Sequence, residues 1–81
     1  MDLNMYVIYN VLTGAYSGIY LFRNDAIASV ELALVQSQKC PLSECELYRV
    51  GSFNDVSCEI SPSSKIKLEF DERRLNVNNA V

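Results

Sequence analysis

Residues 5 to 12, Met-Tyr-Val-Ile-Tyr-Asn-Val-Leu, constrain this chain more than any other segment. Their aromatic and β-branched types favour a strand, and a strand sends successive side chains to opposite faces. Tyr6, Ile8 and Leu12 then share one face, while Met5, Val7, Tyr9 and Val11 share the other. A strand apolar on both sides needs cover on both sides. Thr13-Gly14 is a turn signal, and Ala15 to Phe22 resumes a strand-like pattern, so the segment reads as the first arm of a β-hairpin.

Asn24 and Asp25 are good helix-capping residues, and the Gly- and Pro-free stretch after them predicts a helix over about 25 to 38. At 100° per residue, Ile27, Val30 and Leu34 form one apolar face, while Ala28, Leu32 and Val35 form a second. Only a narrow stripe through Ser29 and Gln36 is polar, as expected of a helix buried on more than one side. Pro41 ends this region. A third strand is expected over 45 to 53, a turn at Asn54-Asp55, and a fourth strand around 56 to 60.

Pro62-Ser63-Ser64 reads as a second break. After it, Lys65 to Phe70 alternates charged and apolar residues, as suits an exposed edge strand or an arm reaching onto a neighbour. The expected fold is α+β: a small antiparallel sheet with one helix packed on a face, in the order β-β-α-β-β plus a C-terminal strand or arm. Residues 1 to 70 are expected to form a single domain and residues 71 to 81 a flexible tail.

One helix covers one sheet face. A homo-oligomer is the economical cover for the other, with Met5, Val7, Tyr9, Val11, Leu32 and Val35 as its candidate interface. An 81-residue chain buries only roughly 60 to 65% of its unfolded surface, so it needs such reinforcement. The other usual supports are missing from the sequence. Three cysteines (Cys40, Cys45 and Cys58) cannot form a full disulfide set, and without any histidine they lack the usual zinc ligands and a catalytic base. They are expected to be reduced, acting as small apolar or edge residues.

No cofactor is expected either, since the chain has no Gly-rich phosphate loop. Its acid pairs, Glu44 with Glu46 and Asp71 with Glu72, fall in a loop, a strand edge and a tail, where solvation explains them. The expectation is a protein that is not an enzyme. No apolar run is long enough to cross a bilayer. A net charge of −3 repels nucleic acid over the whole molecule, so any such contact must be local. Strand-borne tyrosines beside cations are how several modules stack single-stranded bases, which singles out Tyr48, Arg49, Lys65 and Lys67 as candidate nucleic-acid contacts.

Several short motifs occur in a distinctive order: Tyr6-Val7-Ile8-Tyr9-Asn10, Gly14-Ala15-Tyr16, Leu21-Phe22, Asn24-Asp25-Ala26-Ile27-Ala28 and Leu47 to Asn54. In order and spacing they resemble the small nonstructural protein of gokushovirus-type microviruses, which are single-stranded DNA bacteriophages. The chain departs from that family at Val30-Glu31, where a basic residue is expected, and at Asn10, where aspartate is more common. The resemblance implies a non-enzymatic phage protein in the host cytoplasm. It would act in single-stranded genome replication or packaging, through local contact with single-stranded DNA or through replication proteins. An oligomeric interaction or regulatory module without DNA contact is the alternative.

Overall fold

The computed structural model describes residues 1–75. Within them the chain forms an α+β fold with five antiparallel strands in one sheet and a single α-helix. Strand β1 (Asp2–Asn10) is followed by two short strands, β2 (Ala15–Tyr16) and β3 (Tyr20–Phe22), and by helix α1 (Asp25–Ser37). A 3-10 turn (Leu42–Glu44) then leads into the long strands β4 (Cys45–Asn54) and β5 (Ile60–Leu68). The sheet order is β2-β1-β4-β5, with β3 also paired to β1.

β1 stops at Asn10 because the Asn10 side chain accepts hydrogen bonds from the amides of Leu12 and Thr13, turning the backbone out of the ladder. Val11 and Leu12, expected to continue the strand, are therefore exposed in the turn. Gly14 follows at φ 70°, a left-handed conformation that glycine adopts without steric cost. The return arm is split in two, with Ser17 filling the gap between β2 and β3. Its amide donates to the Ile8 carbonyl at 2.7 Å, and its hydroxyl accepts from the Ile8 amide at 2.9 Å.

α1 begins as its capping residues dictate, with the Asn24 side chain accepting from the Ile27 amide at 2.9 Å. Its buried face differs from the expected one. Ala28, Leu32, Ala33 and Gln36 point inward, while Ile27 and Val35 are exposed. The alanines let the helix approach the sheet closely, and Gln36 is tolerated inside because its amide finds acceptors there, the sulfurs of Cys40 and Cys45.

The core lies between α1 and one sheet face. Tyr6, Ile8, Ala28, Leu32, Cys45 and Leu47 form its buried centre, with Tyr20, Phe22, Leu68 and Phe70 packed around them. The rings of Tyr6 and Phe22 meet at 6.1 Å in a tilted arrangement. Asp25, in the first turn of α1, ties this layer together. Its carboxylate accepts from the Tyr6 hydroxyl at 2.8 Å and from the Arg49 guanidinium at 2.6 Å, linking helix, β1 and β4. Burial, reinforced by the Asp25 carboxylate, pushes the Tyr6 phenol up to about 12.

The C-terminal region corrects two expectations. The strand foreseen around 56 to 60 does not form, because Asn54 caps a turn through Val56 and Ser57 and only Ile60 is extended. The expected break at Pro62-Ser63-Ser64 and the strand from Lys65 instead belong to one strand, β5, paired to β4 of the same chain. Proline is compatible with this position because β5 is an edge strand and its register shifts there. Gly51 faces Pro62 while Arg49 faces Ile66, leaving Ser63, Ser64 and Lys65 opposite Val50 alone. In the segment expected to be a flexible tail, residues 71–75 are anchored on the helix. The Asp71 amide donates to the Ser29 carbonyl and Arg74 pairs with Glu31 at 2.7 Å. Residues 76–81 of that segment lie outside the described residues.

Gly51 is the tightest point of the sheet. It has φ 156°, and a Cβ there would fall 2.5 Å from the Ser61 carbonyl oxygen and 2.7 Å from the Met5 side-chain terminus. The first of these is backbone and cannot swing away. Gly51→Ala is expected to destabilise the fold by about 2–3 kcal/mol, combining an unfavourable φ with overpacking. Urea unfolding checks this, the expected result being a lower midpoint at an unchanged slope.

Candidate nucleic-acid interface

The sheet face opposite α1 is set by the alternation of β1 and β4. Tyr6, Ile8 and Leu47 point to the helix, so Met5, Val7, Tyr9, Glu46 and Tyr48 point away from it. Register brings further residues beside them, with Tyr16 opposite Tyr9 and Lys67 opposite Tyr48. Lys65, two residues from Lys67 along β5, joins the same face.

These side chains form a connected layer. The rings of Tyr9 and Tyr16 lie 4.7 Å apart at 47°. The Lys65 ammonium donates to the Tyr16 hydroxyl at 2.8 Å, stands 5.4 Å from the centre of that ring, and lies 4.5 Å from the centre of the Tyr48 ring. Lys65 is on one outer strand and Tyr16 on the other, and three inter-strand spacings would separate them by about 14 Å in a flat sheet. The two side chains therefore lean toward each other across β4 and β1, like a strap. Tyr48 donates to Glu46 at 2.7 Å, and Lys67 lies 3.6 Å from the same carboxylate.

The second sheet face is covered differently from the expectation. Met5 and Val7 are only 5% and 9% exposed within the single chain, and Leu32 is fully buried in the helix-side core. No partner can reach these three, which removes them from the expected oligomer interface. The burial is intramolecular: Leu32 belongs to the helix-side core, the end of the Met5 side chain lies beside Gly51, and Val7 stands opposite Tyr48 across the β1–β4 pair. Val11 and Val35 are exposed, and Tyr9 is half-buried in the layer just described.

Of the four expected nucleic-acid contacts, three share this face: Tyr48, Lys65 and Lys67. Arg49 does not. Adjacent residues in a strand point oppositely, and Arg49 is committed to Asp25 on the helix side. Tyr9, Tyr16 and Glu46 complete the face. Their place follows from register: the Thr13-Gly14 turn sets Tyr9 opposite Tyr16, and the pairing of β1 with β4 sets Glu46 opposite Tyr9.

Charge on the face is unevenly used. Lys67 is neutralised by Glu46, whereas Lys65 makes no ion pair with any carboxylate among the described residues. The hydrogen bond to the Tyr16 hydroxyl holds the Lys65 ammonium above its ordinary range, so it is charged at neutral pH. The Tyr48 hydrogen bond, helped by Lys67, holds the Glu46 carboxyl below its ordinary range. Tyr48 is correspondingly raised by Glu46. The result is an open layer of three phenol rings with two ammonium groups and one carboxylate, of which Lys65 makes no ion pair among the described residues.

Comparison with protein-family models, curated proteins and solved structures found no match. Among the described residues no helix is long and apolar enough to cross a membrane, and no group of three or more His, Cys, Asp or Glu side chains is placed to hold a metal ion.

Because the folded-state pKa of Glu46 is depressed, its contribution to stability is present above the ordinary carboxylate range and is lost as pH falls through its folded value. Tyr48→Phe removes the main cause. Carboxyl chemical shifts should show Glu46 titrating at higher pH in that variant. The stability difference from the parent chain should be present at neutral pH and vanish below the Glu46 titration. An unshifted Glu46 titration would contradict the assigned hydrogen bond.

Proposed function

We propose that this protein is a non-enzymatic accessory of single-stranded DNA replication or packaging in a bacteriophage, working in the host cytoplasm. It acts through local contact between single-stranded DNA and the face formed by Tyr9, Tyr16, Tyr48, Lys65 and Lys67. The single observation carrying this reading is the Lys65 ammonium, held over two tyrosine rings on an open sheet face and in no ion pair among the described residues. Aromatic rings stack bases regardless of sequence, and an adjacent cation attracts the linking phosphate. The biological setting rests on the resemblance of the ordered motifs to those of the small nonstructural protein of gokushovirus-type microviruses.

The test is fluorescence anisotropy with a labelled oligothymidylate of about 16 nucleotides, a length that spans one such platform. Binding is expected at low ionic strength and weakens as salt rises. Tyr16→Ala, at a side chain 51% exposed, should lower affinity by about 1–3 kcal/mol for the lost stacking partner. Lys65→Gln should weaken binding and reduce the slope of log affinity against log salt by about 0.7, the value for one phosphate of a single strand. Absence of binding at low salt sinks the proposal.

A homodimer without DNA contact is the second reading. It is favoured by β5, a nine-residue edge strand with one hydrogen-bonded neighbour and exposed Ile60 and Ile66. Light scattering at tens of micromolar decides it, as the reading requires twice the chain mass of 9.1 kDa.

A further inference from the structure

The end of α1 holds a second cluster that the sheet face does not use. Cys40 and Cys45 flank the short 3-10 turn, and their sulfurs are 3.3 Å apart. Gln36, 8% exposed and the one buried polar side chain among the described residues, donates its amide to both sulfurs, at 2.9 Å to Cys40 and 3.3 Å to Cys45. The Asn10 amide approaches Cys40 at 4.0 Å. Cys45 is buried, whereas Cys40 is half-buried, and both line a groove of about 620 Å³ that also runs past Pro41, Leu68 and Phe70.

Such a placement is unusual for cysteines that serve only as apolar filler. Filler thiols are indifferent to each other's position, whereas these two lie at van der Waals contact around a shared donor. A covalent disulfide requires the sulfurs to close to about 2.05 Å, a movement of little more than an ångström from the present separation. The turn between them contains only four residues, Pro41 to Glu44, so the pair is local in sequence and held by the fold at both ends.

We propose that Cys40 and Cys45 form a thiol–disulfide exchange site that takes a small disulfide of the glutathione type and is oxidised to an intramolecular disulfide. Cys40, the accessible sulfur, is the attacking group. As a thiolate it attacks one sulfur of the incoming disulfide, whose S–S bond breaks. One small thiolate leaves and takes up the proton that Cys40 gave to solvent. Cys45 then loses its proton and attacks the Cys40 sulfur of the mixed disulfide, expelling the second small thiol. Two protein thiols are oxidised, one external disulfide is reduced to two thiols, and the protons balance.

Gln36 is the positioning residue for both steps. Its N–H groups face the sulfurs and favour whichever carries negative charge. Burial pushes the Cys45 thiol up to about 11, which disfavours it as the first attacker, and the half-buried Cys40 sulfur is the one an incoming disulfide reaches. The exposed Cys58 stands apart from this site.

The full chain carrying Cys58→Ser is equilibrated in mixtures of reduced and oxidised glutathione, quenched with acid, alkylated and cut with trypsin. Cleavage after Lys39 and Arg49 releases residues 40 to 49 with both cysteines in one peptide. The expected oxidised product is that peptide lighter by two hydrogens than the dithiol. Its formation constant should exceed that of the same free decapeptide by at least about tenfold, equivalent to about 30 mV for this two-electron couple. A constant equal to the free peptide's, or glutathione adducts as the main oxidised products, overturns the proposal. Gln36→Leu should slow the reaction of Cys40 with oxidised glutathione by at least about tenfold, the scale of one lost hydrogen bond to a charged group. An unchanged rate in a folded Gln36→Leu chain removes Gln36 from the site. Should that variant not fold, comparison of the full chain with the decapeptide still decides.

Discussion

β1 carries bulky apolar side chains on both faces, yet among the described residues the chain has only one α-helix to lay against it. Everything else in the architecture answers that mismatch. The helix takes the face with Tyr6 and Ile8. On the other face Met5 and Val7 are buried within the single chain, and beside them Lys65 and Tyr16 reach toward each other from the outer strands. This face differs in kind from the helix side. Burying a valine side chain contributes about 1.5–3 kcal/mol, whereas a cation over an exposed ring contributes about 0.5–1 kcal/mol. The apolar contacts keep the face closed, and the Lys65 contacts are weak enough for a phosphate to compete with them. The layer is thereby able to exchange partners.

The helix side is closed more firmly. Small residues at Ala28 and Ala33 bring the backbone of α1 close to the sheet, and a polar anchor sits toward each end. Near the N-terminus the Asp25 carboxylate holds both Tyr6 and Arg49, where the helix dipole also favours negative charge. Near the C-terminus the Gln36 amide holds two sulfurs. Removing one partner from such an anchor costs more than the bond itself contributes, because the remaining groups stay half-buried and unpaired. Each anchor consumes residues that sequence reasoning had offered elsewhere: Arg49 as a nucleic-acid contact, Gln36 as part of a polar stripe.

Local patterns carried most of the element positions. Alternation marked β1 and β4, and the Asn24 cap placed the start of α1, because these signals depend on neighbours a few residues away. Proline at position 62 reads as a break for a related reason: its meaning depends on whether the strand is central or at an edge, which is a property of the finished sheet. The bulge opposite Val50 is equally invisible before Gly51 and Pro62 are known to face each other. The side-chain layer on the second sheet face includes Lys65 meeting Tyr16, residues 49 apart in sequence. Arg49 is a different case. The alternation that placed Leu47 inward already put Arg49 on the opposite face from Tyr48, and sequence adjacency was the weaker guide.

Within the proposed reading, the charge arrangement dictates what kind of binding this face can offer. Two lysines stand against one glutamate, and Glu46 is engaged with Lys67, so one ammonium is spare in a chain of net charge −3. One phosphate contact supplies little affinity once counterions compete. Most of the affinity must then come from stacking on Tyr9, Tyr16 and Tyr48, which does not distinguish one base sequence from another and requires bases free of a duplex. A duplex offers phosphates but no accessible base faces, and the acidic remainder of the molecule repels it. Discrimination between single and double strands therefore follows from having rings with almost no net positive charge behind them, the opposite of a basic groove that holds either form.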